Sequence, residues 1–507
     1  MNISPKRDSA KPGRGAFRER ELKLACEPVA FAHLMAHPLI AAAKPLRDKS
    51  GLLLATYFDT PEEDLRRAGI ALRLRRRRGR TVQTIKATRA RGLAFDRGEW
   101  ESEVEGGLDF AAARGTPLRR ILKSEMIRDR IQKRFAVETR RQAFLIETDG
   151  FAVECALDHA VVKAGRRSQP TTEIELELLR GEPEDLFRLA RKLSKAGPLR
   201  LSLVAKSERG YRLLSAAGGH PVKAACPSVT KGTPSAPAFQ AMAREALAQI
   251  IHNEELVRSF GDPEALHQMR VGFRRLKTLV GLFRPMLAGK QSKRIRKGLQ
   301  WAARLSGPAR DIDVLQQRAA SGGLVSEHVA IADRRRAIYA DLLWDLGRPR
   351  FGRVLLNTAV WIESGRWLSH AGNKTAAARA QPVEELTAKA LSRRWKQIRR
   401  TLKHLDSLTP EARHKLRLRI KALRYGSEFV AGAFKGRQAT RRRAALAIVL
   451  EGLQDSLGQL NDIVAGDRVL GRSADDDGNE TASLRLGLMA DSQRLAFRLR
   501  AMPPFWR

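Results

Sequence analysis

Along roughly the first 211 residues apolar and polar side chains alternate with a period of two; beyond Phe239 they recur with a helical period. Two-residue alternation is clearest in Glu19-Arg20-Glu21-Leu22-Lys23, Ala71-Leu72-Arg73-Leu74-Arg75, Glu99-Trp100-Glu101-Ser102-Glu103 and Glu173-Ile174-Glu175-Leu176-Glu177. Successive strand side chains point to opposite faces, so the polar members of each run share one face. The chain therefore reads as strands up to about Tyr211, with a shorter helical stretch at Asp185 to Lys195 before the last strand. Gly218 to Pro237 is rich in Gly, Pro, Ser and Ala and marks a linker. The predicted organisation is an N-terminal extension over 1–16, a strand domain over 17–215, a linker over 216–238 and a helical domain over 239–500. The fold class is multidomain α+β, with an antiparallel β domain followed by an all-α one.

Charge narrows the partners. Against 55 Asp+Glu stand 95 Lys+Arg, a formal net charge of +40. Such a field concentrates anions and speeds their encounter. Arg outnumbers Lys, which suits bidentate contact with phosphate oxygens. Nucleic acid is disfavoured as a partner, because only 6% of the residues are aromatic and stacking platforms are scarce. Cys26, Cys155 and Cys226 are far apart and form no CxxC pair, so neither a disulfide framework nor a thiolate metal site is indicated. The polar first twenty residues do not read as a signal peptide, and no apolar run approaches the ~20 residues of a membrane helix. A cytoplasmic protein with no membrane partner is the expectation.

Within the strand half, carboxylates on one face repel unless a cation lies between them. Glu19/Glu21 and Glu173/Glu175/Glu177 are two such rows. Oxygen-rich clusters of this kind suit Mg2+ or Mn2+. The basic positions Arg73, Arg75 and Lys86 can then grip phosphates that the metal bridges.

These residues also carry a resemblance. Glu19-x-Glu21-x-Lys23 matches the signature of the CYTH family, the triphosphate tunnel enzymes. Tyr57-Phe58-Asp59-Thr60-Pro61, Ala71 to Arg75, Gln83-Thr84-Ile85-Lys86, Glu173 to Glu177 and Lys206-Ser207-Glu208-Arg209-Gly210-Tyr211 follow in the family's order. The resemblance implies a closed antiparallel β-tunnel of eight strands threaded by a triphosphate. It implies metal ligands at Glu19, Glu21, Glu173 and Glu175, and phosphate ligands at Lys23, Arg73, Arg75, Lys86 and Lys206. Catalysis then centres on Glu19, Glu21, Lys23 and Lys86. A further tunnel arginine falls on the Arg140/Arg141 doublet, Arg141 fitting the pattern better, and Asp158 fits the acidic position on the middle strands. If Arg75 points inward, Arg76 and Arg78 should point outward.

The helical half carries a stripe twice. His267, Arg270, Arg274 and Lys277 step +3, +4, +3, as do His414, Arg417, Lys421 and Arg424, 147 residues later. Each set lies on one helix face, where like charges oppose one another and a counter-anion relieves the cost. A second pair of segments, Gly307 to Ile312 and Gly458 to Ile463, repeats at an offset of 151. An internal duplication with one basic helix and one Asp-bearing turn per copy (Asp311, Asp462) is expected. This half resembles the CHAD domain, a histidine-rich helical module, which implies a bundle whose basic surface binds inorganic polyphosphate through these eight residues. No other His or Cys lies at ligand spacing beside His267 or His414, so phosphate hydrogen bonding is favoured there over metal ligation.

The expected function is metal-dependent hydrolysis of inorganic triphosphate, with long-chain polyphosphate held by the helical half and the protein placed on polyphosphate granules. The alternatives are a hydrolase or cyclase acting on nucleoside or thiamine triphosphate, and a non-catalytic polyphosphate binder.

Overall fold

The computed structural model describes residues 17–88, 92–215, 218–225, 227, 229–322, 328–470 and 479–506. The extension over residues 1–16, Cys226, the acidic run Asp475-Asp476-Asp477 and the side chain of Asp462 lie outside the described residues. The chain divides into two compact units. One comprises residues up to Val222 with Ile251–Leu266 and Leu343–Glu363; the other comprises Lys223–Ile250, His267–Leu342 and Ser364–Arg507.

Among the described residues, eight strands of the first unit close into an antiparallel barrel. They are β1 (Phe17–Ala25), β2 (Gly51–Asp59), β3 (Ile70–Arg77), β4 (Arg80–Thr88), β5 (Phe95–Glu103), β6 (Gln132–Glu147), β7 (Ala152–Ala164) and β8 (Arg167–Arg180). Their order around the barrel is β1-β5-β4-β3-β2-β6-β7-β8, and β8 pairs back onto β1, for example Lys23 with Glu175. Closure leaves the ladder groups of both would-be edges paired. Short strands at Lys44–Pro45 and Arg200–Ser202 add to β6 and β1.

The barrel is inverted in polarity. Leu22, Leu24, Ile174 and Leu176 face outward yet are fully buried. Helix α1 (Pro183–Leu193) packs on β1 and β8, burying its own Leu186, Leu189 and Leu193. That helix starts cleanly because Pro183 follows the Glu182 cap and the Asp185 side chain accepts the Glu182 backbone N–H. On the far side, Leu72 and Ile85 pack with Leu65, Leu118 and Leu122 from the connecting segments. With the apolar sides covered outside, the polar sides of β1, β3, β4, β5 and β8 face inward.

The reading of strands up to Tyr211 requires correction at its end. Lys206–Leu214 is a helix, α2. Its sequence begins Lys-Ser-Glu-Arg-Gly-Tyr, too polar to show either period, so packing decides its state. Tyr211 joins Ala55, Tyr57, Phe135, Val137, Ala160 and Val162 in one buried cluster inside the barrel. Tyr57 stacks on Phe135 at 4.9 Å and Tyr211 meets Phe135 edge-on at 5.0 Å, contacts worth about 0.5–1.5 kcal/mol each beyond area burial. The α2 helix thereby stoppers one end of the barrel.

From Ser235 onward the described chain is helical: α3 (Ser235–Phe260), α4 (Pro263–Leu282), α5 (Lys290–Leu305), α6 (Gly307–Gly322), α7 (His328–Gly347), α8 (Pro349–Ser364), α9 (Asn373–Ala380), α10 (Val383–Leu402), α11 (Pro410–Phe429), α12 (Arg437–Leu470) and α13 (Asn479–Ala501). The two expected Asp-bearing turns are a second correction. Gly307 to Ile312 opens α6, and Gly458 to Ile463 lies inside α12. An arginine lies over the glycine in both places, but only at Gly458 is it close enough to exclude a side chain. A Cβ on Gly307 would come 3.8 Å from the Arg270 guanidinium, and one on Gly458 would come 2.8 Å from that of Arg417. Arg270 and Arg417 are the second members of the two stripes, so in each copy the stripe's arginine lies over the glycine, tightly only in the second.

Candidate functional site

Each inward strand face contributes to one cavity of about 1620 Å³ inside the barrel. β1 supplies Glu19, Glu21 and Lys23; β3 supplies Arg73 and Arg75; β4 supplies Lys86; β6 supplies Arg141; and β8 supplies Glu175 and Glu177. Lys206, at the first position of α2, reaches in from the stoppered end. Asp158 of β7 and Glu173 of β8 are fully buried and are reached by Lys206. Every tunnel residue named from the sequence is thus on the inner wall or bonded directly to it. Arg141 is the inward member of its doublet, and Arg140 is exposed. Arg76 and Arg78 are both exposed, and Arg78 also borders the cavity and donates to the Arg47 carbonyl at 2.7 Å. Arg78 occupies the hairpin turn with φ +48°, where strand alternation has ended.

Two charge clusters divide the wall. In the first, Glu19 accepts from Lys86 at 2.8 Å and from Arg97 Nε at 2.7 Å, while Arg97 Nη2 donates to Glu21 at 2.9 Å. In the second, Arg141 grips Asp158 with two bonds of 2.7 and 2.6 Å. Lys206 donates to Asp158 and Glu175, each at 2.8 Å, and to Glu173. Lys23 joins the clusters, bonding Glu21 at 2.5 Å and Glu175. Carboxylate oxygens of Asp158, Glu173 and Glu175 all come within 4.8 Å of one another.

Electrostatics sorts these acids into two kinds. Burial pulls the Glu19 carboxyl up, but Lys86 and Arg97 outweigh it and hold the group well below the usual carboxylate range. Burial likewise opposes ionisation of Glu175, and Lys206, Lys23 and Arg141 overcome it. Glu21 goes the other way: burial, followed by the nearby Glu175, pushes it up to about 7. Glu177 is also raised to about 7, by burial and then by Glu154 opposite it. Among the cations, Arg75 is lowered to about 10, first by neighbouring Arg73 and then by burial. Among the described tunnel residues named above, two buried atoms have no hydrogen-bond partner, Arg73 Nε and Glu173 Oε2. A donor without an acceptor and an acceptor without a donor, on opposite signs of charge, suit a ligand carrying anion and cation together.

Residues 18–211 match the family model of the CYTH domain, and residues 241–471 match that of the CHAD domain. The chain carries a CYTH domain followed by a CHAD domain. The CYTH region is 28% identical over 201 residues to an inorganic triphosphatase of Haemophilus influenzae, an alignment covering 39% of this chain and 55% of that protein. The chain thus spans about half the length of the curated relative it matches. Among solved structures, the CHAD domain of Ricinus communis is 24% identical, with 56% of this chain and 98% of that chain covered and a TM-score of 0.43. A Hippeastrum protein described as revealing a dominant triphosphatase activity is 21% identical, with 38% and 95% covered and a TM-score of 0.29.

In the CHAD domain the structure puts the first stripe along α4, where His267, Arg270 and Arg274 are half-buried and Lys277 is exposed. Arg270 donates to Ser306 Oγ at 3.2 Å. In the second stripe, on α11, His414 Nδ1 meets Asn461 Oδ1 at 2.8 Å, and Arg417 donates to the Gln454 carbonyl. Arg424 bonds Glu428 at 2.9 Å, and Lys421 is buried. Asp311 lies near the start of α6, and Arg270 feels its charge.

Sequence reasoning left out Arg97, Glu99, Glu101 and Glu154 as site residues, although all line the cavity. The signal was present for three of them. Arg97, Glu99 and Glu101 occupy alternate positions of β5, the same inward face as the run that was read for its period alone.

Proposed function

We propose that the CYTH tunnel hydrolyses a short inorganic phosphate chain, tripolyphosphate in the first instance, and that the CHAD domain holds longer polyphosphate. The observation that carries the first part is a tunnel stoppered by α2 whose inner wall bears both a crowded cationic row and a buried three-carboxylate cluster. A linear triphosphate fits such a wall: Arg73, Arg75, Lys86, Arg141 and Lys206 hold its oxygens, exchanging their present carboxylate partners for it. Inorganic substrate is favoured over a nucleotide because the aromatic residues among the described lining are Tyr57, locked in the stopper cluster, and Trp100, packed into the outer cluster beside β3 and β4. Neither offers a free face to a base.

The donor set also fits a divalent cation. Asp158, Glu173 and Glu175 are hard oxygen donors, and Glu173 Oε2 is buried without a partner. Those three would hold an ion of the Mg2+ or Mn2+ class, with Glu19 and Glu21 the further candidates on β1. When bound, such an ion supplies Lewis-acid neutralisation of phosphate charge. The chain's own residues do the rest. Arginines orient the chain, burial excludes bulk water, and Glu21 and Glu177, which titrate near neutrality, can exchange a proton at working pH.

The test is phosphate release from tripolyphosphate, ATP and thiamine triphosphate with Mg2+ or Mn2+, scored together with cyclic AMP formation. Tripolyphosphate should turn over fastest, and Glu173→Gln with Glu175→Gln should cost at least ~100-fold in kcat. Full activity in that double variant, or in a Glu19→Ala, Glu21→Ala variant, removes the site assignment. Tight tripolyphosphate binding with no turnover under any divalent ion makes the tunnel a grip rather than an enzyme. For the CHAD domain, unchanged polyphosphate affinity after Arg270→Ser with Arg274→Ser removes the stripe's role.

A further inference from the structure

Lys206 reaches the tunnel from a helix and not from a strand, so its place depends on what holds α2. That helix is nine residues long and is held on two faces. Toward the barrel, Tyr211 enters the apolar cluster, and Arg66 grips Glu208 with bonds of 3.0 and 2.6 Å. Arg209 and Arg212, three residues apart, share a second face. Arg209 is buried and donates to Glu255 Oε1 at 2.7 Å, and the Arg212 guanidinium lies 3.8 Å from the same oxygen.

Glu255 belongs to α3 and lies outside the CYTH match, which ends at residue 211. It nevertheless falls in the compact unit of the barrel, which takes in Ile251–Leu266. The chain just after α2 is fitted closely to the same stretch of α3. A Cβ on Gly218 would come 2.6 Å from the Phe260 ring, and one on Gly219 would come 3.0 Å from Leu256. The Asn253 side chain accepts the Val222 backbone N–H at 3.0 Å and donates to the Val222 carbonyl at 2.9 Å. The end of α3 is thus a fixed support beside α2, and Glu255 is its ionic contact with Arg209 and Arg212.

We infer that Glu255 is a positioning residue for the tunnel: by tying Arg209 and Arg212, it sets where Lys206 stands among Asp158, Glu173 and Glu175. This role presupposes that the tunnel is the hydrolytic site, and it adds to that site a residue from the CHAD match. The physical basis is a short lever. Lys206 and Arg209 are about 4.5 Å apart along one helix axis, so a displacement of the second is passed to the first. Lys206 Nζ meets Asp158 and Glu175 at 2.8 Å each, and a shift of about 1 Å takes such contacts out of hydrogen-bond range. A residue that only sets the place of a substrate-holding cation changes substrate binding. One that only supports the fold changes the number of active molecules.

Steady-state hydrolysis of tripolyphosphate by the full chain with Mg2+ separates these. Glu255→Ala should raise KM at least about fivefold and leave kcat within about twofold. Glu255→Gln, which still offers Arg209 an acceptor, should recover most of that KM. Arg209→Gln cuts the same tie from the other side and should raise KM alike, which keeps the test open if Glu255→Ala does not fold. Lys206→Gln raises KM by itself, and adding Glu255→Ala to it should raise KM no further, because both changes act through one ammonium. Unchanged KM in both single tie variants, a loss of kcat at unchanged KM, or independent effects in the double variant overturns the role. If the wild type does not hydrolyse tripolyphosphate, the tunnel reading fails, and hydrogen exchange of the α2 amides judges the tie by itself. Faster exchange in Glu255→Ala than in wild type supports it, and equal exchange overturns it.

Discussion

Arg97 is the residue whose removal should be felt most. It is buried, and its guanidinium joins Glu19 to Glu21. Removing one partner of a buried ion pair leaves an uncompensated charge, at about 3–5 kcal/mol. Arg97→Ala should lower stability to urea by that order and abolish phosphate release. Arg97→Lys should recover little, because an ammonium cannot bridge two carboxylates as a fork does. A pH dependence follows from the raised acids. Glu21 and Glu177 are held up to about 7 from an ordinary 4.5. Between about pH 5 and 7 the folded state keeps protons that the unfolded chain releases, so these two groups make stability fall as pH rises through that window. Glu19 and Glu175 are held low, so they contribute stability above their ordinary range that is lost as pH falls below it. The melting midpoint of metal-free protein should therefore decline from pH 5 to pH 8, and Glu21→Gln should flatten the decline. An unchanged slope in that variant would assign the decline to other groups.

At the scale of elements, the contacts that hold α2 in the barrel can each be tested. Tyr211 Oη donates to Asp59 at 2.6 Å, and Asp59 is fully buried while accepting the backbone N–H groups of Thr60, Leu65 and Arg66. Tyr211→Phe should cost about 1–3 kcal/mol and speed hydrogen exchange of the α2 amides before those of the barrel. Gly210 faces Phe135 so closely that a Cβ would fall 2.2 Å from its ring. Gly210→Ala must push α2 outward, carrying Lys206 away from Asp158 and Glu175, and should raise KM for tripolyphosphate. Gly458 gives the opposite kind of result. It lies inside α12, where Ala is favoured over Gly by about 1 kcal/mol, yet a Cβ would displace Arg417. Gly458→Ala should keep or raise the melting midpoint while weakening polyphosphate binding, a split that simple misfolding does not produce.

For the whole molecule the relevant quantity is a net charge of +40. Its field adds attraction that salt screens, with a Debye length of about 10 Å at 0.1 M. Association with long polyphosphate should slow steeply between ~50 and ~200 mM salt, as for other polyanions. Turnover at saturating tripolyphosphate should change much less, because the tunnel groups are buried and poorly screened. Stopped-flow association and steady-state kcat over one salt series separate the two; parallel losses would mean that the general field, and not the tunnel wall, governs both. No helix among the described residues is long and apolar enough to cross a membrane.

What the sequence determined by itself was periodicity and charge. Two-residue alternation with acids and bases on one side is enough to say that Glu19, Glu21, Arg73, Arg75, Lys86, Glu173 and Glu175 share wall surfaces, because strand geometry leaves no other arrangement. The repeated +3, +4, +3 stripe is equally local, and a helix converts it into a face without help. Only the tertiary structure decided that the shared face turns inward, because that depends on helices and connecting segments covering Leu22, Leu72 and Leu176 from outside. It also decided that Lys206 begins a helix, since a polar run has no period and Tyr211 must find Phe135 before the segment has a state. The tie between Arg209 and Glu255 was likewise invisible along the chain: they are far apart in sequence, and only the packing of α3 beside α2 brings their charges together.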